Sequence, residues 1–160
     1  MRRAFVLTVS DGVAAGTRQD ESGEAVAERL GALGFEVHRG LVADEAAAIE
    51  TALRAATAEH ELVLTTGGTG LTPRDVTPQG TAAVIEFEVP GLAEVMRAAG
   101  RASTPFADLS RAIVGVSARS LIVNLPGSPA GAIESLAAIE PVLDHALQTL
   151  AGPFDHGALA

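Results

Sequence analysis

Apolar positions along the chain change period from two to about 3.6 and back, in the order strand, helix, strand, helix. Ala4–Val9 is a short continuous apolar run rich in valine and leucine, the pattern of a strand buried on both faces. A polar loop from Ser10 to Glu21 follows. Val26, Leu30 and Leu33 then fall at i, i+4 and i+7, one face of a helix that Gly34 ends. Phe35–Val42 reads as the second strand. The next helix has Ile49, Ala52, Leu53 and Ala56 on its apolar face, with Asp44 available as its cap. Glu61–Thr65 is the third strand. Thr77 as N-cap and Pro78 at the first helical position open a helix through Val84 and Ile85. Pro90-Gly91 breaks it, and Leu92, Val95, Met96 and Ala99 describe another. Ala112–Val116 and Leu121–Asn124 flank Ser117–Ser120 closely enough for a hairpin. Ser128-Pro129 opens a helix carrying Ile133, Leu136 and Ala137, and a last helix runs from about Pro141 to Leu150. The tail, residues 153–160, is expected to be loosely held beyond one domain spanning residues 1–152.

This alternation predicts an α/β fold, a three-layer α/β/α sandwich on a mostly parallel central sheet with an antiparallel edge hairpin. Ligands of such sheets sit beyond the carboxyl ends of the strands. If the strands are parallel as read, the Ser10-Asp11 loop, the Asp44 turn, the loop after Thr65 and the Asn124–Pro129 loop all emerge at that one edge.

Composition narrows the partners. The chain has 160 residues, 48% hydrophobic with 3% aromatic, so its core must be aliphatic. No apolar run is long enough for a transmembrane helix, and Asp11 interrupts the first apolar run too early for a signal peptide. The absence of cysteine excludes disulfides and thiolate metal sites and fits a cytoplasmic protein. The net charge is −9, and all 11 basic residues are arginine. A nucleic-acid partner, which needs several cations on one face, is therefore not expected, nor is a membrane.

The chemistry concentrates in Thr65-Thr66-Gly67-Gly68-Thr69-Gly70-Leu71-Thr72-Pro73-Arg74-Asp75-Val76-Thr77-Pro78, a strand end, a glycine-rich loop and a helix start. Glycines let backbone N–H groups approach phosphate oxygens, and Arg74 and Asp75 suit a phosphate and a metal ion handled together. The motif is no P-loop, because it lacks lysine, and no dinucleotide fingerprint, because position 73 is proline. On its glycines alone it is as well a tight turn as an anion site. Asp11, Asp44 and Asp75 each follow a strand, and two or three converging carboxylates suit Mg²⁺ together with substrate phosphates. On the other reading, Asp44 is only a helix cap and Asp11 a turn former. The histidines His38, His60, His145 and His156 are widely spaced and read as surface or packing residues. Leu109-Ser110-Arg111 either binds a substrate anion or ends a loop.

Taken in order, the glycine motif, Arg74–Pro78, Pro90-Gly91 with Glu94 and Arg97, Leu109-Ser110-Arg111 and Asn124-Leu125-Pro126-Gly127-Ser128-Pro129 resemble the molybdenum cofactor biosynthesis proteins of the MoaB/MogA type, relatives of the gephyrin G domain. Ser10-Asp11 and Asp44-Glu45 fit too, although the family often has proline where this chain has Ala43. The resemblance implies a molybdopterin adenylyltransferase. Molybdopterin and ATP would be its substrates and Mg²⁺ its cofactor, with adenylyl-molybdopterin and pyrophosphate as products. It implies Asp44 and Asp75 as catalytic and Mg²⁺-holding carboxylates. Gly67, Gly68, Thr69, Gly70, Arg74 and Asp11 would lie on the nucleotide phosphates, and Ser110, Asn124, Pro126, Gly127 and Ser128 on the pterin. It further implies a homotrimer and a molybdenum insertase as partner. The alternatives are a non-catalytic trimeric molybdopterin carrier or scaffold, and a relative of the competence-damage-inducible CinA domain. Asp44 and Asp75 favour the enzyme, and the Asn124–Pro129 loop favours a pterin.

Overall fold

The computed structural model describes residues 1–153; His156 and nearly all of the expected tail lie outside the described residues. Six strands form one sheet: β1 (Arg3–Val9), β2 (Glu36–Val42), β3 (Leu62–Thr66), β4 (Phe87–Glu88), β5 (Val114–Ser117) and β6 (Ser120–Leu125), in the order β2-β1-β3-β6-β5-β4. β2, β1, β3 and β6 pair in parallel, and β5 pairs antiparallel with both β6 and β4. The expected hairpin is β5–β6, turning at Ala118 with φ 52°.

The central strands are apolar throughout because both faces are covered. All five residues of β3 and all six of β6 are buried, whereas the edge strand β2 is largely exposed. Alternate side chains feed two cores. Ala4, Val6, Leu62, Leu64, Leu121 and Val123 pack with α2 (Glu21–Ala32), α5 (Pro90–Gly100) and α6 (Pro129–Ala151). Leu7, Val9, Val63 and Ile122 pack on the other face, against Ile49, Leu53 and Ala56 of α3 (Ala46–Thr57). The three layers are those the alternating pattern predicts.

Several local expectations need correction. The loop from Ser10 contains a four-residue helix, α1 (Asp11–Ala14), capped by Ser10, whose hydroxyl accepts from the Val13 N–H. Asp44 does not cap α3. Glu45 holds the N-cap position without a side-chain bond, and the Asp44 carboxylate accepts from the Asp11 N–H instead. α4 (Thr77–Ala82) ends before Val84, and the chain passes into β4. Thr77 lies inside α4 rather than capping it; its hydroxyl donates to Gly67 O at 2.9 Å. Pro105–Leu109 forms a 3₁₀ helix. Residues 129–151 are one helix, not two, with Pro141 inside it. Proline removes one N–H and crowds the preceding turn. Here Leu136, Ile139, Leu143 and Leu147, buried against the sheet, hold the helix together across it.

Two histidines distant in sequence meet. His38 Nδ1 and His60 Nε2 lie 2.8 Å apart, while His60 Nδ1 lies 2.8 Å from Ala56 O. His60 is buried beside Phe5, which makes this pair a packing feature. Among the described residues no group of three or more His, Cys, Asp or Glu is placed to hold a metal ion by itself.

Candidate active site

Parallel pairing of β2, β1, β3 and β6 puts four carboxyl-end loops at one edge. Backbone and side-chain bonds then tie three of them together. The Asp11 N–H donates to Asp44 Oδ2 at 2.8 Å, and the Asp44 N–H donates to Asp11 Oδ1 at 3.0 Å. Arg74, from the glycine loop, reaches the same Asp11 carboxylate with two nitrogens, each at 3.0 Å. The β1, β2 and β3 loops thus share one polar knot.

The glycine loop has its sharp path because two glycines adopt left-handed backbone, Gly67 at φ 91° and Gly68 at φ 69°. A Cβ on Gly67 would sit 2.5 Å from Val9 O, and one on Gly68 would overlap the Thr77 hydroxyl. The loop is closed at both ends: Gly67 N donates to Leu125 O at 3.1 Å, and Thr77 N donates to Gly68 O at 3.1 Å. Asp75 stands beside Gly70, and its Oδ2 accepts from the Thr72 N–H at 2.9 Å.

Arg111 clamps this loop from outside. Its Nε donates to Gly70 O at 2.8 Å, its Nη2 to Asp75 O at 2.5 Å, and its backbone N–H to Thr69 O at 2.9 Å. The guanidinium is therefore committed to loop carbonyls. Of the two sequence readings of Leu109-Ser110-Arg111, the arginine serves loop architecture. No local pattern reveals this, because its partners lie 36 and 41 residues away.

Two cavities open on either side of the glycine loop. The polar one, about 460 Å³, is lined by Asp44, Asp75, Thr66, Gly67, Gly68 and Gly127, and also by Arg18, Asp20 and Glu21. The other, about 400 Å³, is mostly apolar and is lined by Ser110, Asn124, Pro126, Thr69, Gly70 and residues of α5 and the 3₁₀ helix. Ser128 lines both. Gly67 and Gly68 therefore face the carboxylates, whereas Thr69 and Gly70 turn to the second cavity. Gly127 turns the other way, away from Ser110, Asn124 and Pro126. Arg74 and Asp11 are engaged with each other beside the polar cavity.

Asn124 is fully buried and fully occupied. Its Nδ2 donates to the Thr65 and Thr81 hydroxyls at 3.0 and 2.9 Å, and its Oδ1 accepts from the Ile113 N–H at 3.3 Å. It fixes β6 against β3 and α4 beneath the loops. Ser128 caps α6 by accepting from the Gly131 N–H at 3.1 Å. Arg97, which sequence reasoning assigned no role, donates to Ser110 O and Ala112 O from the wall of the apolar cavity.

The charges of the knot are unequal. Hydrogen bonds from Arg74 hold the Asp11 carboxyl below its ordinary value. Burial pushes the Asp44 carboxyl up, and the neighbouring Asp11 and Asp75 carboxylates push it further. The Arg74 guanidinium thus pairs with Asp11 and feels Asp44 and Glu45, whereas Asp75 acts on Asp44. Asp44 and Asp75 each spend one oxygen on a backbone N–H and retain the other. That donor set matches Mg²⁺, which takes one or two carboxylate oxygens and completes its shell with substrate phosphates and water.

The carboxyl-end loops of this α/β sheet thus carry left-handed glycines and two carboxylates, with a cavity on either side. The sequence profile of the family described as "Probable molybdopterin binding domain" matches residues 5–145, and the chain belongs to that family. It is 38% identical over 154 residues to the molybdopterin adenylyltransferase of Helicobacter pylori, covering 93% of this chain and 88% of that protein. It is 41% identical over 158 residues to the molybdenum cofactor biosynthesis bifunctional protein of Synechococcus elongatus, covering 98% of this chain but 49% of the longer relative. The crystal structure of the molybdopterin biosynthesis enzyme MoaB from Thermus thermophilus superposes with a TM-score of 0.88 at 49% identity, covering 97% of this chain and all of that one.

Proposed function

We propose that the protein adenylylates molybdopterin, consuming ATP and releasing pyrophosphate in molybdenum cofactor biosynthesis. The observation that carries this reading is the adjacency of a carboxylate-bearing polar cavity and a mostly apolar cavity across one glycine loop, with Ser128 common to both. Two substrates of unlike chemistry must meet in such a reaction, one rich in phosphate and one with a flat heterocycle. Relatives named molybdopterin adenylyltransferase match nearly their full length.

In the proposed reaction an oxygen of the pterin's terminal phosphate bonds to the α-phosphorus of ATP. The bond from that phosphorus to the bridging oxygen of the β-phosphate breaks, and pyrophosphate leaves with the electron pair. No protein nucleophile is required, so positioning and charge neutralisation are the protein's task. Asp44 and Asp75 would hold Mg²⁺, which when bound offsets the repulsion between the two phosphate groups. The backbone N–H groups of the glycine loop would stabilise charge that develops on the transferred phosphoryl oxygens. Arg111 acts as a positioning residue, keeping the Gly70 and Asp75 carbonyls, and with them the loop, in register.

The reading extends to a cytoplasmic homotrimer that delivers its product to a molybdenum insertase. Among the described residues no helix is long and apolar enough to cross a membrane. The deciding experiment incubates the protein with molybdopterin, ATP and Mg²⁺ and detects the product by mass. Adenylyl-molybdopterin and pyrophosphate in equal amounts are expected. Pterin binding without ATP consumption would instead establish a carrier.

A further inference from the structure

Thr66, the last residue of β3, carries a hydroxyl with no assigned purpose. The residue is 1% exposed, and among the described residues its Oγ1 has no hydrogen-bond partner. The threonines buried around it are different. Thr8 donates to Asp20 Oδ2 at 2.6 Å, Thr77 donates to Gly67 O at 2.9 Å, and Thr65 and Thr81 both accept from Asn124. An unpaired hydroxyl in a protein interior costs free energy that an isosteric methyl would not. Thr66 pairs across the sheet with Thr8 and Leu125, and it lines the polar cavity.

That cavity also receives the first turns of two full helices. Glu21 and Ser22 open the twelve-residue α2, and Ser128 and Pro129 lead into the 23-residue α6. Helix N-termini present positive potential to an anion. At α2 the Asp20 carboxylate already accepts from the Gly23 N–H, and Glu21 and Glu24 stand in the first turn. It is therefore the start of α6, capped by the neutral Ser128, that offers this potential. Asp44 and Asp75 line the same cavity. A group that fits between these features has anionic oxygens that accept hydrogen bonds and can be bridged to carboxylates by a divalent cation. A phosphate meets both conditions, and a neutral sugar or base does not.

We propose that Thr66 is a substrate-contacting residue whose Oγ1 donates a hydrogen bond to a phosphate oxygen of the bound nucleoside triphosphate. The inference rests on the adenylyltransferase reading and adds to it a contact outside the glycines. Thr66→Val removes the hydroxyl with little change in shape, Thr66→Ala removes it with a smaller side chain, and Thr66→Ser retains it. Isothermal titration in Mg²⁺ compares ATP, inorganic tripolyphosphate and adenosine on each variant, alongside a thermal melt. The expected result is a loss of roughly tenfold in ATP and tripolyphosphate affinity for Thr66→Val and Thr66→Ala. Adenosine binding should be unchanged, Thr66→Ser should match the wild type, and Thr66→Val should melt at or above the wild-type temperature. Wild-type ATP affinity in both hydroxyl-free variants overturns the inference and leaves the hydroxyl to packing or a buried water. A loss confined to adenosine and ATP overturns the phosphate assignment in favour of the nucleoside. Failure of the wild-type protein to bind ATP at all overturns the adenylyltransferase reading itself, an outcome distinct from the other two.

Discussion

Asp44 is held in two conflicting roles. In the proposed reaction it must be ionised to hold a cation, yet burial and the Asp11 and Asp75 carboxylates favour its protonated form. Its folded-state pKa lies above the unfolded value, so the folded state binds more protons in that window and stability falls as pH rises through it. Asp11 has the opposite sign. Its pKa is lowered from 3.8 by Arg74, so its stabilising contribution is present above that value and is lost as pH falls through the folded pKa. Asp44→Asn keeps an oxygen for the Asp11 N–H and removes the charge. Its melting temperature should exceed the wild type's at pH 7, and the difference should shrink as pH falls toward 4. Adenylyl transfer should fall about 100-fold or more, roughly 2.7 kcal/mol of barrier. Equal melting curves at both pH values would show that Asp44 is not strained by its neighbours. Arg111 tests the loop clamp in turn. Arg111→Ala leaves the Gly70 and Asp75 carbonyls without their charged donor and should cost about 3 kcal/mol in urea unfolding. Arg111→Lys, with one donor group in place of a fork, should fall between. An alanine variant as stable as the wild type would remove the clamp from the fold.

At the scale of elements, the chain reveals its long, regular pieces and conceals those set by distant contacts. Leu62–Thr66 and Ser120–Leu125 are legible because a strand buried on both faces must be apolar throughout. The sharp turn after β3 is legible because left-handed backbone at Gly67 and Gly68 requires glycine; what the loop binds is not legible from its glycines alone. α1 and β4 are too short, at four and two residues, to leave a period. Pro141 reads as a break because the local rule for proline omits the buried leucines that carry α6 past it. Asp44 reads as a cap because the competing donor, the Asp11 N–H, is 33 residues away. Gly80 is the clearest such case. By propensity it is a poor helix residue, with alanine favoured by about 1 kcal/mol. Yet a Cβ there would lie 2.7 Å from Ile49 Cγ2 and 3.2 Å from Ala46 O, so the glycine sets how closely α4 approaches α3. Gly80→Ala should therefore destabilise by about 1 kcal/mol, because overpacking outweighs the gain in propensity. A higher urea midpoint for the variant would mean that Ile49 moves aside freely.

The whole molecule leaves apolar side chains uncovered beside its second cavity. Phe106 is 74% exposed and Leu109 52%, and both line that cavity; Leu71, 65% exposed, follows the cavity residue Gly70 directly. Isolated exposed apolar residues need no explanation, but three beside one cavity indicate a surface that association would cover. The proposed homotrimer gives that surface a use, because a neighbouring copy could wall the pterin side of the site. Light scattering at micromolar concentration should report three times the 16.2 kDa chain mass. Phe106→Asp places a charge in the middle of the apolar surface without disturbing the core, since the side chain it replaces is mostly in water. If the trimer uses this face, the variant should shift toward monomer and lose pterin affinity by about tenfold, equivalent to 1.4 kcal/mol. ATP binding, assigned to the polar cavity, should persist. A variant that remains trimeric with unchanged pterin affinity would place the subunit contact elsewhere on the molecule. A wild-type protein that scatters as a monomer would remove the assembly and leave each chain's two cavities to act alone.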